Sequence, residues 1–591
     1  MSGRRGVMSG PGANGYFPIP GLGDLNGGVY TDFTKGSLTG DRGGTWSLTR
    51  ATATTGVDHE SLVRTLLSGE ARFEKLRRVE NRVAGSSRNL TVSWIGQGSP
   101  TITANYGSVA APDGSFSASR VQWTSGASKA VYQTLTSVAG EARTFSAWMR
   151  ATSSTSTVRL RNYDGTTSTY SAALVLDTTW RRYSVSVTGM AASASANFSF
   201  EQDAGVSAAD FLAWEGQLET VTGQAIQAPS ENVSVGVLSA PYHGAGVDGV
   251  KYFNTANGNT VASNVVTEAA GAALDTATLK SGISPFGAHT ALLLHNRDFT
   301  NAAWTKGATV TVAKDQTGAD GTANGASRIT FGAVGATNTV TQAVVSASAA
   351  RYLTARIKRL VGTGVIEMSV DAGLSFVDVT SQISASYAKV SIPVQTLANP
   401  TAVFRGATNA DAIAVDYVML TSVANAPEIA TTTAAVTVNK DAVTLDGTTL
   451  INQGEGGVWV KAVGPVDVAT VRTLFQIDDG TANERVTLSR DASSKAAFDV
   501  VDGGASLAPL ASVANWSAGS LKKQAGRYKL NDSNQAFDGT ANTADTGCTM
   551  PTTTTLRLGG VAAGTEPNTT IAAVAMGRTG PSDANLAVSS A

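Results

Sequence analysis

The chain contains the same pattern of strand-forming residues twice. The segment Ser119–Arg150 aligns with Ser327–Lys358 without a net gap, so that two arginines in each copy have the same separation. Further along, Leu176–Val187 matches Ile383–Val394 in the same way. Both copies are rich in Thr, Val and aromatic residues and are interrupted by Gly and Asp, a composition typical of short strands and turns. This duplication indicates tandem β-modules rather than one large catalytic domain.

Composition limits the classes of function. The 591 residues exceed what one hydrophobic core supports, and 42% of them are hydrophobic, which is enough for several cores. With 44 basic and 45 acidic residues, the chain lacks the positive field that nucleic-acid binding requires, so no nucleic-acid partner is expected. The single cysteine, Cys548, excludes an intramolecular disulfide and is interpreted as a buried apolar side chain.

The sequence shows no targeting or membrane signal. The start, MSGRRGVMSGPG, has two arginines but no apolar run after them, so we expect neither a Sec nor a twin-arginine signal. No stretch approaches about 18 apolar residues, and no membrane insertion is expected. We therefore expect synthesis in a host cytoplasm, with any role outside the cell following release by a route such as lysis.

Composition shifts divide the chain into six parts. No segment outside the charged lead-in sustains a helical period over three turns, so helices should be few and short. The Asn257-Gly258 pair is a hairpin signal. The predicted parts are a Gly/Pro-rich extended arm at 1–45, a lead-in at 46–86, module 1 at 87–229, an inter-repeat insertion at 230–289, module 2 at 290–430 and a third sandwich at 431–591.

Several segments resemble virion structural proteins of tailed bacteriophages. Leu48–Val83 looks like the lead-in that such proteins carry before a jelly-roll module, and Leu292–Ile329 is similar to the opening of family 4/9-type carbohydrate-binding modules. The first copy, Asn89–Val121, has three extra residues between its Trp and its Asp-Gly turn. Leu474–Leu488 and Thr554–Gly560 resemble the laminin-G-like, concanavalin-like sandwiches of phage particles.

This resemblance implies an all-β fold of tandem jelly-roll β-sandwiches with an extended N-terminal arm. It implies a virion structural protein on the particle surface, a tail fibre or tail-associated appendage, that contacts host surface glycans. The arm would bind other virion proteins, and virion symmetry implies a homo-oligomer. The first alternative is a capsid-surface fibre or decoration protein. A polysaccharide-degrading tailspike is less favoured, because the sequence shows no run of parallel β-helix rungs.

Strand alternation gives a prediction for the glycan-binding face. In both copies, the residues of one face of two matched strands are apolar, which indicates the core. The opposite face combines aromatic rings with long cations, which suit the flat C–H faces and hydroxyls of sugars. The alternative is structural: the rings pack under a loop and the cations are solvated. The predicted contacts are Trp148, Arg150, Trp180 and Arg182 in module 1, and Arg356, Lys358, Tyr387 and Lys389 in module 2.

No cofactor is expected except a possible structural calcium ion. Asp113 and Asp320 begin matching Asp-Gly turns, and jelly-roll modules of the resembled family often hold calcium, although Asp-Gly is also a common turn signal. The four histidines form no zinc-binding pattern. Catalysis is not expected. Acidic residues such as Glu215, Glu219 and Asp416 show no catalytic pattern and could equally cap or pair with cations.

Overall fold

The computed structural model describes residue 19 and residues 27–58, 60–126, 128–202, 208–224, 227–230, 232–233, 235–240, 281–332, 338–467 and 470–591. Regular structure in these residues is almost all β-strand. They contain one α-helix, Asp583–Ser590, and two short 3-10 turns, Phe33–Lys35 and Thr380–Gln382. Within them, no helix is long and apolar enough to cross a membrane. The all-β prediction is confirmed.

Module 1 is a sandwich of two antiparallel sheets. Alternate side chains point inward and pack around Phe145, Phe198 and Phe200, with Trp94 against them. Sheet 1A contains, in spatial order, Ser168–Tyr170, Ser156–Tyr163, Asn197–Gln202, Ala130–Thr134 and Ile95–Gln97, with Leu174–Leu176 beside Ser156–Tyr163. Sheet 1B contains Arg181–Met190, Glu141–Ala151, Ala209–Thr220, Ser119–Trp123 and Thr101–Thr103.

Module 2 has the same architecture. Trp304 donates its indole N–H to the carbonyl of His295 (3.1 Å), as Trp94 donates to Ser86 (3.0 Å), which supports the duplication. Sheet 2A contains Thr305–Lys306, Thr339–Ala343, Thr401–Gly406, Ile366–Ser369 and Val377–Asp378. Sheet 2B contains Thr311–Gln316, Ala326–Thr330, Ala412–Thr421, Ala349–Val361 and Ala388–Ser391, with Gln395–Leu397 beside Ala349–Val361.

The C-terminal sandwich also consists of two sheets. Its core contains Phe475, Phe498 and Trp516. Sheet 3A contains Thr540–Ala541, Asn534–Phe537, Leu521–Lys529, Glu455–Val463, Ile571–Gly577, Gly282–Ile283 and Phe73–Glu74, with Val29–Asp32 beside Ile571–Gly577. Sheet 3B contains Ser47–Thr49, Ala442–Asp446, Thr555–Leu558, Arg472–Asp478, Arg485–Arg490, Lys495–Asp502 and Ala505–Ser506, with Leu510–Asn515 beside Lys495–Asp502.

Three two-stranded pairs connect these bodies. They are Thr54–Val57 with Val63–Leu66, Arg77–Asn81 with Gly236–Ala240, and His289–Ala291 with Val436–Val438.

The predicted boundaries need correction at the N-terminus. Val29–Asp32 pairs with a strand near the C-terminus, and Trp46 is buried in the core of the C-terminal sandwich with its ring against Phe475. Residues 27–49 therefore belong to that sandwich and do not form an extended arm, because the apolar side chains among them complete its core. Residues 1–18 and 20–26, more than half of the predicted arm, and the Asn257-Gly258 hairpin signal lie outside the described residues.

A buried ion-pair network joins the lead-in to the two later bodies. Asp441, which precedes the C-terminal sandwich, accepts hydrogen bonds from Arg50 (2.6 Å) and Arg72 (2.8 Å) of the lead-in. Its Oδ2 also accepts from the backbone N–H of Phe286, which precedes module 2 (2.9 Å). All three charged side chains are almost completely buried. We call Arg50, Arg72 and Asp441 the central ion cluster.

The lead-in also contacts both modules. The hairpin formed by Thr54–Val57 and Val63–Leu66 contacts module 2 through the bond from Val63 N–H to Ala319 O (2.9 Å). It contacts module 1 through Arg64, whose Nη1 donates to Thr222 O (3.0 Å). We call it the lead-in hairpin.

Beside the lead-in hairpin, the modules meet backbone to backbone. A Cβ on Gly321 of module 2 would lie 2.5 Å from the Cα of Gly223 of module 1. Gly114, the module 1 counterpart of Gly321, has nearly the same φ (+83° against +81°), but a Cβ there would meet nothing within 4 Å.

This difference predicts unequal effects of matched substitutions. Gly321→Ala and Gly114→Ala both place alanine at positive φ, which costs about 1–2 kcal/mol each. Gly321→Ala must also push the modules apart, so we expect it to lower the melting temperature more than Gly114→Ala, as measured by calorimetry. Equal losses would show that the modules do not touch at Gly321.

The buried His289 should make the strand pair His289–Ala291 with Val436–Val438 sensitive to acid. Burial lowers its pKa to about 4, Arg72 and Lys389 add to the shift, and its Nδ1 lies 3.0 Å from Gly287 O. The folded pKa lies below the unfolded value of about 6.5, so the folded protein is stabilised by keeping His289 neutral. This contribution to the free energy of unfolding is present above pH 6.5 and is lost as pH falls towards 4, by up to about 3 kcal/mol. We expect the free energy of unfolding of His289→Gln to fall less than that of the wild type between pH 7 and 4.5. Parallel curves in urea titrations would contradict this.

Candidate functional site

The two tryptophans predicted to contact glycans in module 1 lie in a second small core. Trp148 and Trp180 are 5% and 6% exposed, and Trp180 donates its indole N–H to Ala110 O (2.9 Å). They pack with Trp214 and Leu212 beneath the segment between Thr101–Thr103 and Ser119–Trp123. The face is therefore opposite the main core, as predicted, but it is covered by module 1 itself. No open aromatic platform forms there.

The module 1 arginines on this face bond to the module itself. Arg150 donates from Nε to Ala151 O (3.0 Å). Arg182 donates from Nη2 to the Ser146 hydroxyl (3.0 Å) and from Nη1 to Ser230 O. Both guanidiniums therefore bond to protein groups where sugar hydroxyls were expected, and the bond from Arg182 to Ser230 attaches residues 227–230 to sheet 1B.

The matching face of module 2 is covered by the lead-in and the following connector. Arg356 pairs with Glu428 (2.7 Å), and Lys389 donates to Ala426 O (2.7 Å) beside the same carboxylate. Burial would raise the pKa of Glu428, but the charges of Arg356 and Lys389 outweigh it and lower the pKa to about 2. The hydroxyl of Thr55 in the lead-in hairpin donates to Glu428 O. Arg356 and Lys389 thus hold other parts of this chain and are not open to glycans.

Tyr387 and Lys358 are also engaged. The Tyr387 hydroxyl donates to Thr317 O (2.8 Å), and the Lys358 ammonium lies 4.8 Å from the centre of the Tyr387 ring. The ring packs with Val63, Ala319 and Tyr417 where the lead-in hairpin meets module 2. It supports the junction between the lead-in and module 2.

The two aspartates considered for calcium each face an arginine. Asp320 accepts from Arg297 at both carboxylate oxygens (2.8 Å each) and from the Tyr417 hydroxyl. Asp113 caps its own turn and lies 3.5 Å from Arg88. Among the described residues, no group of three or more His, Cys, Asp or Glu side chains could hold a metal ion. These side chains do not fit calcium, because a guanidinium lies where a metal ion was expected.

A different surface of module 1 has the predicted combination of side chains. The residues of sheet 1A that point away from the core form a row in register across five strands. We call this set the module 1 row: Ile95, Tyr132, Ser199, Arg161 and Tyr170.

Rings and charged groups flank this row. Arg161 pairs with Glu201 (2.9 Å), donates to Asn197 (2.8 Å) and lies 5.4 Å from the centre of the Tyr163 ring. The Arg159 guanidinium lies 5.9 Å from the centre of the Tyr170 ring. Burial raises the pKa of Glu201, and Arg161 opposes that shift.

The rings of this surface are exposed to different degrees. Tyr170 is 43% exposed, and Ile95 at the other end of the row is 48% exposed. Tyr132 and Tyr163 are half-buried. The surface therefore offers apolar ring area together with fixed donors and acceptors.

The register of module 2 that matches the module 1 row has a different composition. The corresponding register of sheet 2A runs through Thr305, Thr341, Val403 and Ser369, with no aromatic side chain among them. Gln342 and Gln133 fix the correspondence, because each exchanges two bonds with the backbone at the start of its module.

The sequence also contains a signal for the module 1 row. In Ser156–Tyr163, Val158 and Leu160 alternate with Arg159, Arg161 and Tyr163, which is the pattern of a strand with one buried face. The comparison of strand faces used only strands of sheet 1B, and sheet 1A differs between the copies. Arg161 is recognised as part of a surface only from the strand register that aligns it with Tyr132 and Tyr170.

Comparisons with known proteins identify no family. No family model matches the chain, and no curated protein matches it. Among solved structures, the N-terminal tandem CBM22-1–CBM22-2 domain of Xyn10C from Paenibacillus barcinonensis is 11% identical, with 58% of this chain and 98% of that chain covered and a TM-score of 0.21. The vicilin from Solanum melongena is 10% identical, with 56% and 83% covered and a TM-score of 0.10. Superpositions this poor carry no argument about fold or function.

Proposed function

We propose that the chain is a non-enzymatic structural protein on the surface of a tailed-phage virion. In this proposal it is a tail fibre or tail-associated appendage that contacts host surface glycans, assembles as a homo-oligomer and attaches to other virion proteins through its N-terminal residues. The observation that carries the glycan-binding part is the module 1 row with its flanking Arg159, Tyr163, Asn197 and Glu201. The resemblance of the lead-in and the sandwiches to phage particle proteins supports the virion part.

The module 1 row suits an extended sugar chain. Tyrosine rings stack on the apolar C–H faces of sugars, while arginine, glutamate and asparagine bond to the hydroxyls at their edges. Neighbouring strands are about 4.8 Å apart, so the five strands of the row span roughly 19 Å. Arg161 is already fixed by Glu201 and Asn197, so that little side-chain freedom is lost on binding.

The packing of the lead-in supports a stiff appendage. The central ion cluster and the lead-in hairpin connect both modules and the C-terminal sandwich through buried contacts. A rigid chain presents its glycan-contacting surface at a fixed distance from the attachment point. Oligomerisation would then raise a weak single-site affinity through multivalency.

The module 1 row predicts which substitutions reduce adsorption. Tyr132→Ala and Tyr170→Ala should each weaken binding to purified host polysaccharide about 3- to 10-fold, because one ring contact is worth about 0.5–1.5 kcal/mol. Thr341→Ala, at the module 2 counterpart of Tyr132, is the matched control and should bind like the wild type. Co-sedimentation would measure the affinities. Unchanged binding in both tyrosine variants would exclude the row as the contact surface.

Position on the particle is tested separately. Purified virions labelled with an antibody against residues 440–591 should carry the label at the tail when imaged by electron microscopy. Label spread over the head would replace the tail assignment with that of a capsid-surface fibre or decoration protein. Intact particles without label, in a preparation where blotting detects the chain only outside particles, would contradict the virion assignment itself.

A further inference from the structure

We propose that the cleft between the lead-in hairpin, module 1 and module 2 binds the carboxylate of an acidic sugar unit. This inference rests on the proposed function in one respect, which is that the carboxylate is supplied by a glycan. The site is separate from the module 1 row. It exists only where the three parts of the chain meet.

The cleft has the size and polarity of a small-ligand site. Its volume is about 430 Å³, within the range of about 300–1,000 Å³ that is typical of such sites. Val63, Arg64 and Thr65 of the lead-in hairpin form one side. The other sides are formed by Arg78, Glu80 and Arg82, by residues 138–141 and the end of Ala209–Thr220 in module 1, and by Asp320 and Thr322 in module 2.

Two of the three carboxylates in the cleft have no oxygen available for a ligand donor. Glu141 accepts bonds from Arg82, from Arg143 at two positions and from the Val138 N–H. Asp320 accepts from both Nη atoms of Arg297, from the Thr322 N–H and from the Tyr417 hydroxyl. A cationic ligand would therefore have to displace arginines that are already paired.

Glu80 is the remaining carboxylate. One of its oxygens accepts a hydrogen bond from Arg78 (3.1 Å), and its side chain is 35% exposed. Arg78 is in turn held by Glu70 through two bonds, so it is not available to a ligand. Glu80 should therefore weaken the binding of an anion.

Two guanidiniums in the cleft have donors to spare. Arg82 uses only Nη1, for Glu141 (2.6 Å) and the Thr220 hydroxyl (2.7 Å), which leaves Nε and Nη2 without a partner among the described residues. Arg64 uses Nε for Asp58 and Nη1 for Thr222 O. Its Nη2 is buried and has no partner among the residues that the structure describes. The Arg82 side chain is 26% exposed, so a ligand in the cleft can reach its spare donors. A donor that is buried without an acceptor is costly, so an acceptor that pairs with these donors is stabilised.

This excess of donors over acceptors favours a planar anion. A carboxylate matches the side of a guanidinium with two parallel N–H groups, as Nε and Nη2 of Arg82 provide. Thr65, Thr322 and Gln224 also line the cleft and can bond to hydroxyls. A sugar ring that carries a carboxylate supplies both kinds of group. The geometry therefore points to a uronic acid unit.

The test uses the full chain and free glucuronate, with glucose and acetate as comparison probes, in isothermal titration. Glucuronate should bind, glucose should not, and acetate should bind at least about 10-fold more weakly because it lacks the hydroxyls. Arg82→Met should weaken glucuronate binding about 10-fold or more, since it removes a charge-assisted bidentate contact. Glu141 keeps its bonds to Arg143 in this variant, so the module should fold.

Glu80→Gln gives the opposite expectation. It removes the open negative charge and should tighten glucuronate binding several-fold. Arg181→Met is the matched control, because Arg181 is a half-exposed arginine of module 1 outside the cleft, and it should leave binding unchanged. Equal binding of acetate and glucuronate, or equal affinity in Arg82→Met, Glu80→Gln and the wild type, would overturn the proposal.

The Tyr132→Ala variant separates this proposal from the proposed function. Glucuronate should bind Tyr132→Ala as tightly as the wild type, because Tyr132 is not part of the cleft. Loss of glucuronate binding in Tyr132→Ala, with retention in Arg82→Met, would place the acid at the module 1 row and overturn the cleft. If polysaccharide binds neither variant nor wild type while glucuronate still distinguishes Arg82→Met, the proposed function fails and the anion site stands.

Discussion

The central ion cluster is the interaction on which the arrangement of the chain depends. Asp441 accepts from Arg50 and Arg72, which lie 391 and 369 positions earlier in the sequence, and from the backbone of Phe286. Burying three charged groups is costly unless every donor and acceptor has a partner, and removal of one partner typically costs about 3–5 kcal/mol. The two guanidiniums use further donors on lead-in carbonyls. The cluster therefore tolerates only one relative placement of the lead-in, module 2 and the C-terminal sandwich.

The two modules share the sandwich fold, but different parts of the chain cover their matching faces. Trp214 and Asp416 occupy equivalent positions, opposite Trp148 and Arg356, and the residues that follow them, Glu215 and Tyr417, both have positive φ. The acid and the ring have exchanged places, yet Arg88 and Arg297 each pair with the acid and stack on the ring. Module 1 covers this face with its own segment, whereas module 2 covers it with the lead-in. Sheet 1A of module 1 remains open and carries aromatic side chains.

Much of the fold could be predicted from short-range pattern. Alternation identified the core residues Phe145, Ala147 and Met149, because a strand places neighbours on opposite faces wherever it lies. The same rule placed Trp148 opposite the core but gave no information about what covers it. The candidate site therefore lies on sheet 1A and not on the predicted faces of sheets 1B and 2B. A loop in module 1 and the lead-in in module 2 bury the faces that alternation identified as polar. Arg161 and Tyr170 were missed because they are neighbours only across strands.

The sequence by itself determined the all-β class, the duplication and the inward face of each repeated strand, since these depend on the identity of residues a few positions apart. Tertiary structure alone decided that residues 27–49 complete the C-terminal sandwich, that Arg356 pairs with Glu428, and that Ile95, Tyr132 and Tyr170 align. These outcomes depend on contacts between segments that are distant in sequence, where charge pairing, loop length and strand register select one arrangement. Local pattern is compatible with many such arrangements, and burial energy distinguishes among them.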